Sequence, residues 1–187
     1  MESKRIFIGT YIDPSIFEFI YDDIKEDFKN ASFGKWVEFE NLHFTYKFLG
    51  DTSISLLKQI QDDLSEILVT YNKLIQIKGI GAFPDLRKPK VLVANIYSQN
   101  NILQDISSKI DKILLNHNIK PEDREFKPHL TLQRIKSTDR LNFKEVIAKY
   151  IDYDFGEMTS FSVKIIESVL TSKGPIYKTL NFNQRDV

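Results

Sequence analysis

The feature that most constrains this chain is an internal repeat. The two halves of its 187 residues match at a single spacing of 86 positions. Lys4 falls on Lys90, Ile6 on Leu92, Ile16 on Ile102, Ile20 on Ile106, His43 on His129, Thr45 on Thr131 and Ile77 on Val163. Each half reads strand–helix–strand–helix–strand. A sequence that repeats itself through five elements predicts one bilobal domain, with repeat halves of about 1–88 and 89–187, arranged about a pseudo-twofold axis.

The elements follow from hydrophobic spacing. Residues 4–11 and 42–49 are rich in β-branched and aromatic side chains, as strands are. Asp13-Pro14 offers a helix cap followed by proline, and Ile16, Phe17, Ile20, Ile24 and Phe28 continue at helical spacing. Trp36, Val37 and Phe39 suggest a short strand, Leu56 through Leu68 a helix, and Leu74 through Ile80 a strand. In the second half, Val91–Tyr97, 127–133, 161–170 and 176–182 read as strands. Ile102 through Leu114 and Phe143–Tyr150 read as helices, and Ser172-Lys173-Gly174-Pro175 as a turn.

Composition narrows the chemistry. With no cysteine, disulfides, thiolate metal sites and a cysteine nucleophile are excluded, and a reducing, cytoplasmic setting is expected. Lys plus Arg balance Asp plus Glu, 26 against 26, which excludes a generally basic nucleic-acid coat but not a local basic groove. The N-terminal apolar stretch is broken by Asp13-Pro14 and reads as no signal peptide. No apolar run is long enough for a membrane span.

Two of the three histidines stand in the pattern His-x-Thr on predicted strands: His43-Phe44-Thr45-Tyr46 and His129-Leu130-Thr131-Leu132. Strand side chains alternate, so each His shares a face with its Thr while Phe44, Tyr46, Leu130 and Leu132 face the core. Across a pseudo-twofold axis the two pairs would meet. That suits in-line attack at phosphorus: one imidazole takes a proton from the nucleophile and the other gives one to the departing oxygen. The Thr hydroxyls would donate to phosphoryl oxygens as charge accumulates. A zinc centre would need a third ligand, and His117, in Asn116-His117-Asn118, reads as a solvated helix-end residue. No metal and no cofactor are expected. Packed, functionless strand histidines are the plain alternative, which the matched pair of motifs argues against.

At these residues the chain resembles the two-histidine (2H) phosphoesterase superfamily, and within it the RNA 2′,3′-cyclic phosphodiesterases, or 2′-5′ RNA ligase-like proteins. The resemblance is carried by RIFIG at 5–9, ENLHFTYKFLGD at 40–51, GIGAFPDLRKPKVL at 79–92, EFKPHLTLQR at 125–134 and GPIYKTLNF at 174–182. It implies an α+β fold of two similar lobes, with antiparallel sheets lining a central groove and helices outside. It implies hydrolysis of 2′,3′-cyclic phosphates on RNA ends or nucleosides, leaving a 2′-phosphate, with 2′-5′ ligation of tRNA halves as an alternative. On that resemblance His43 would be the proton donor and His129 the proton acceptor; spacing alone is symmetric and assigns neither. An RNA-end-binding module without turnover is the rival from another class. The expected partner is RNA or a nucleoside cyclic phosphate, with no membrane, and the expected state is a monomer. Phe44 and Tyr46 stand where the family usually has aliphatic residues.

Two further positions are candidates for binding substrate. Lys47 continues the face of His43 and Thr45 if the strand alternates strictly, and would add charge to the groove; otherwise it is an exposed strand lysine. Arg134 matches an arginine that follows the family's second motif. Strict alternation puts it on the face opposite His129, so reaching the phosphate requires a bulge. Arg87-Lys88-Pro89-Lys90 reads as a solvated basic turn, with contact to an RNA backbone as the alternative.

Overall fold

The computed structural model describes residues 2–172 and 174–180. Asn181 and Phe182, the end of the last expected strand, and Lys173 of the expected turn lie outside the described residues. The first half contains β1 (Ser3–Tyr11), α1 (Tyr21–Asp27), β2 (Ser32–Trp36), β3 (His43–Ser53), α2 (Ile54–Asp63), β4 (Thr70–Tyr71) and β5 (Ile75–Phe83). The second contains β6 (Val91–Ser98), α3 (Ile102–Leu115), β7 (His129–Thr138), α4 (Arg140–Tyr150), β8 (Asp154–Met158), β9 (Phe161–Ser162), β10 (Lys164–Thr171) and β11 (Gly174–Thr179).

The expected helix over 16–28 is shorter than its apolar spacing suggests. Asp13 does cap a 3₁₀ turn at Pro14–Ile16, its side chain accepting the Ser15 N–H. The chain then turns through 17–20 before α1 begins at Tyr21. This break lets Phe17 be fully buried and stack on Phe155 at 5.0 Å, while Phe19 is thrown into solvent. Two of the other helices carry side-chain caps. Ser53 accepts from the Leu56 N–H and Asp139 from Leu141 and Asn142, each such cap stabilising its helix by about 1 kcal/mol.

Two main sheets form, in the orders β11-β10-β1-β3 and β2-β7-β6-β5-β8, with every strand pairing antiparallel. The repeat is visible in them: β10-β1-β3 in one sheet corresponds to β5-β6-β7 in the other. Each half keeps its first two principal strands together and sends its third into the opposite sheet. The boundary between the sequence halves is therefore not a boundary between the sheets, and neither sheet is made by one half alone. Helix α3, from the second half, packs on β3 of the first, and α4 packs on β5.

The ladder registers also show that the single 86-residue spacing does not extend through the whole fold. Tyr11 pairs with His43 and Asn95 with His129, so the first strands correspond 84 positions apart while the histidine strands correspond at 86. Alternating apolar strands match at any even shift, which is why sequence spacing alone misplaced β1 against β6 by one pleat repeat. Among the described residues, no helix is long and apolar enough to cross a membrane.

Candidate active site

His43 and His129 each open a long strand, β3 and β7 respectively. Each imidazole Nδ1 lies 2.6 Å from the carbonyl oxygen two residues upstream, that of Asn41 for His43 and that of Lys127 for His129. A carbonyl has no proton to give, so Nδ1 carries the hydrogen and donates it. The tautomer is fixed the same way in both halves, and Nε2 is left as the nitrogen that exchanges protons. Sequence reasoning missed this lock because its acceptors are backbone atoms with no side-chain signature.

Aromatic rings hold the imidazoles from the side. Phe7 lies 4.8 Å from the His43 ring, and Tyr177 of β11 meets it edge-on at 4.8 Å. Phe83 meets His129 at 4.7 Å. Both histidines and both motif threonines are half-buried. Strands β3 and β7 approach to within 8 Å between Cα atoms, and the charge of His129 acts on His43. The two motifs are thus brought to one place.

A β-bulge follows each motif at the same position, and it decides the two weaker candidates. Thr45 pairs with Gly9 and Lys47 with Ile8, so Tyr46 is an extra residue in β3. Thr131 pairs with Val93 and Gln133 with Leu92, so Leu132 is extra in β7. A bulge of this type turns two consecutive side chains to one side. Tyr46 and Lys47 both go inward, as do Leu132 and Gln133.

The reading of Lys47 as a groove cation is therefore corrected. Its side chain is 4% exposed, donates to the Lys120 carbonyl at 2.8 Å and lies 2.8 Å from Asp111 on α3. The bulge removes it from the face of His43 and ties β3 to α3 instead. The same device, repeated in β7, supplies what Arg134 required. Arg134 is exposed, and its charge acts on both His43 and Tyr177. Its cross-strand neighbour on β2 is Lys35, a second cation on that face.

Burial is the main cause holding both imidazoles below their ordinary value of 6.5, with the backbone hydrogen bonds pulling the other way. For His43 the charges of Arg134 and His129 push further in the same direction. Tyr177 is raised by burial and eased down by Arg134 and Arg5. Burial thus disfavours charge on both imidazoles beside the Arg134 guanidinium, and an arriving phosphate anion would favour protonation of an imidazole. Sequence reasoning quoted the segment holding Tyr177 without giving that residue a role; nothing in its spacing marks it as a neighbour of His43.

His117 is not the solvated residue expected. Its Nε2 lies 2.8 Å from Asp63, fastening the end of α3 to the end of α2. Among the described residues, no three His, Asp or Glu side chains are grouped to hold a metal ion.

Comparisons with known proteins give the chain its family. The model of the AKAP7 2′5′ RNA ligase-like domain matches residues 41–182, which include both His-x-Thr segments. The chain belongs to the 2′-5′ RNA ligase-like family of 2H phosphoesterases. Among its relatives, the RNA 2′,3′-cyclic phosphodiesterase of Methanocaldococcus jannaschii is 40% identical over 178 residues, covering 94% of this chain and 98% of that protein. The enzyme of the same name from Aquifex aeolicus is 35% identical over 182 residues, covering 95% of each. Escherichia coli LigT, in its crystal structure complexed with 3′-AMP, superposes with a TM-score of 0.77 at 19% identity, covering 96% of this chain and 97% of that one. At that identity the likeness shows the shared 2H fold, and the family assignment rests on the closer relatives. The duplicated bulge and the two tautomer locks thus sit inside an established 2H fold.

Proposed function

We propose that the protein hydrolyses 2′,3′-cyclic phosphates at RNA ends or on nucleosides to 2′-phosphates, using its two histidines as acid and base and no metal ion. The observation that carries the reading is the paired tautomer lock, with one free Nε2 on each side of the approach between β3 and β7. His129 takes a proton from water as the water oxygen bonds to phosphorus. The bond from phosphorus to the 3′ oxygen breaks, and His43 gives that oxygen its proton. The assignment of donor and acceptor follows the family resemblance, since the two locks are alike. Thr45 and Thr131 donate to the non-bridging oxygens and Arg134 balances their charge. The names borne by the relatives support the same reaction.

The test is hydrolysis of a nucleoside 2′,3′-cyclic phosphate followed by phosphorus NMR. A 2′-phosphate product, unaffected by a chelator, is expected. A chelator-sensitive activity would overturn the metal-free reading. Binding of the nucleotide without turnover at any pH would make the protein an RNA-end-binding module. In solution the protein is expected to sediment as a monomer.

A further inference from the structure

Beside the candidate active site, but separate from it, lies a cavity of about 540 Å³ between the β5–β6 loop and helix α4. Four cations rim it: Arg87 and Lys88 from the loop, Arg140 and Lys144 from the helix. All four are exposed, and no ion pair among the described residues engages any of them. The nearby carboxylates are occupied by backbone. Asp85 accepts the N–H groups of Arg87 and Lys88, though its charge still offsets part of theirs. Asp139 caps α4. On a chain with no net formal charge, this is a local positive field facing solvent.

The floor of the cavity is apolar. Phe143 and Ile147 form it from α4, and Leu86, 45% exposed, overhangs it from the loop. A rim of cations over an apolar floor matches a chain that alternates anionic phosphates with flat bases, the pattern by which single-stranded nucleic acid is held. A free phosphate would gain nothing from the floor.

The position ties the cavity to the reaction. Phe83, whose ring touches His129, is the residue from which the loop springs. The loop is closed at its base by the Lys90 N–H donating to Phe83 at 2.7 Å. Lys90 in turn accepts from Ile135, next to Arg134 on β7. Arg87 therefore stands at most ~14 Å from Phe83 along the backbone, four residues at full extension. That span is within reach of a strand that continues from a nucleotide held between the histidines.

Resting on the cyclic phosphodiesterase reading, we infer that this cavity binds the RNA strand on the 5′ side of the reacting nucleotide, so that an oligonucleotide end is bound more tightly than a free nucleoside cyclic phosphate. The phosphates pair with Arg87, Lys88, Arg140 and Lys144, and a base packs against the exposed side chain of Leu86, above the nearly closed floor of Phe143 and Ile147.

The experiment compares a short oligoribonucleotide ending in a 2′,3′-cyclic phosphate with the corresponding nucleoside 2′,3′-cyclic phosphate. It uses the wild-type protein and a variant carrying Arg87→Ser, Lys88→Ser, Arg140→Ser and Lys144→Ser. The wild type should show a lower KM for the oligomer, and kcat/KM for the oligomer should fall steeply with salt. The variant should raise the oligomer KM at least tenfold with kcat unchanged, and flatten the salt slope by about 0.7 for each phosphate left without its cation. Both constants for the nucleoside substrate should stay as they were. Equal KM values for the two substrates in the wild type would overturn the inference and leave the proposed reaction intact. So would a variant that keeps wild-type oligomer kinetics, or one that loses both substrates alike. If the wild type turns over neither substrate, it is the proposed reaction that falls.

Discussion

Strands β3 and β7 are the same backbone solution used twice, and they differ where their side chains emerge from the bulge. Both begin with a histidine locked through Nδ1, carry a threonine two residues on, and then bulge so that two consecutive side chains turn inward. In β3 the inward residue is Lys47, neutralised by Asp111, and the next outward residue is Phe48, 61% exposed and 5.9 Å from Phe7. In β7 the inward residue is Gln133, accepting from Ser32 at 2.6 Å, and the next outward residue is Arg134. The fold thus repeats the His-x-Thr motif symmetrically and leaves the groove asymmetric in charge, with an aromatic on one side and a guanidinium on the other. An asymmetric groove is what a substrate with different groups on its two sides requires.

The symmetric part of the comparison should carry the largest effect. His43→Ala and His129→Ala should each lower kcat by about 10² to 10⁴, the usual contribution of a positioned acid or base. Because the two act in one step, the double variant should be little worse than either single one. Steady-state kinetics on a nucleoside cyclic phosphate checks this. If one histidine is dispensable, the strands are alike in structure only.

The inward residues come next. Lys47→Met keeps the stem that packs in the core but leaves Asp111 without its counter-charge. Breaking a fully buried pair costs about 3–5 kcal/mol; Asp111 is 27% exposed, so solvent screens part of this and about 2 kcal/mol is expected in urea unfolding. Gln133→Leu removes a neutral hydrogen bond and should cost about 1 kcal/mol. Neither should change kcat, since neither side chain faces the groove. A loss of turnover at full stability in Lys47→Met would restore that lysine to the site.

These two residues also show where the sequence was legible. Most of the strand–helix order and the paired histidine motifs could be read, because periodicity and motifs are local signals, while the antiparallel α+β class came from the family resemblance. The bulges could not be read. A single extra residue inverts every later side chain, and nothing in Tyr46-Lys47 or Leu132-Gln133 announces it. Lys47 was misplaced for that reason, while the family resemblance pointed to Arg134 and to the need for a bulge. Strand β8, Asp154–Met158, escaped notice because Asp-Phe-Gly-Glu-Met carries little alternation; it is an edge strand completed by pairing with β5. Tyr177 and the cations of the loop cavity are assembled from distant segments, so only the fold puts them beside the site.

The outward residues should separate more gently. Arg134→Gln should lower kcat/KM about tenfold, or ~1.4 kcal/mol, while Phe48→Ala should change kcat little. Removing Arg134 also removes a charge that disfavours protonation of His43, so that histidine's limb of the pH–rate profile should move to higher pH. A limb that stays in place would mean that the guanidinium does not act on His43.

The smallest effect is on stability and tests the two histidines together. Burial holds both folded-state values below the 6.5 of the unfolded chain. Below that pH the unfolded state binds more protons than the folded one, so stability rises with pH. The contribution is fully present above 6.5 and is lost as the pH falls toward the lower folded values. Urea unfolding between about pH 5 and 8 should show a rise that flattens near neutrality, and the double variant His43→Gln, His129→Gln should weaken its dependence on pH. Inorganic phosphate should stabilise the wild type more at the acid end, because the anion favours the protonated imidazoles that burial opposes. A phosphate effect that is the same at both ends of that range, or that survives in the double variant, would show that the anion binds away from the paired histidines and that the likeness of β3 and β7 serves the fold alone.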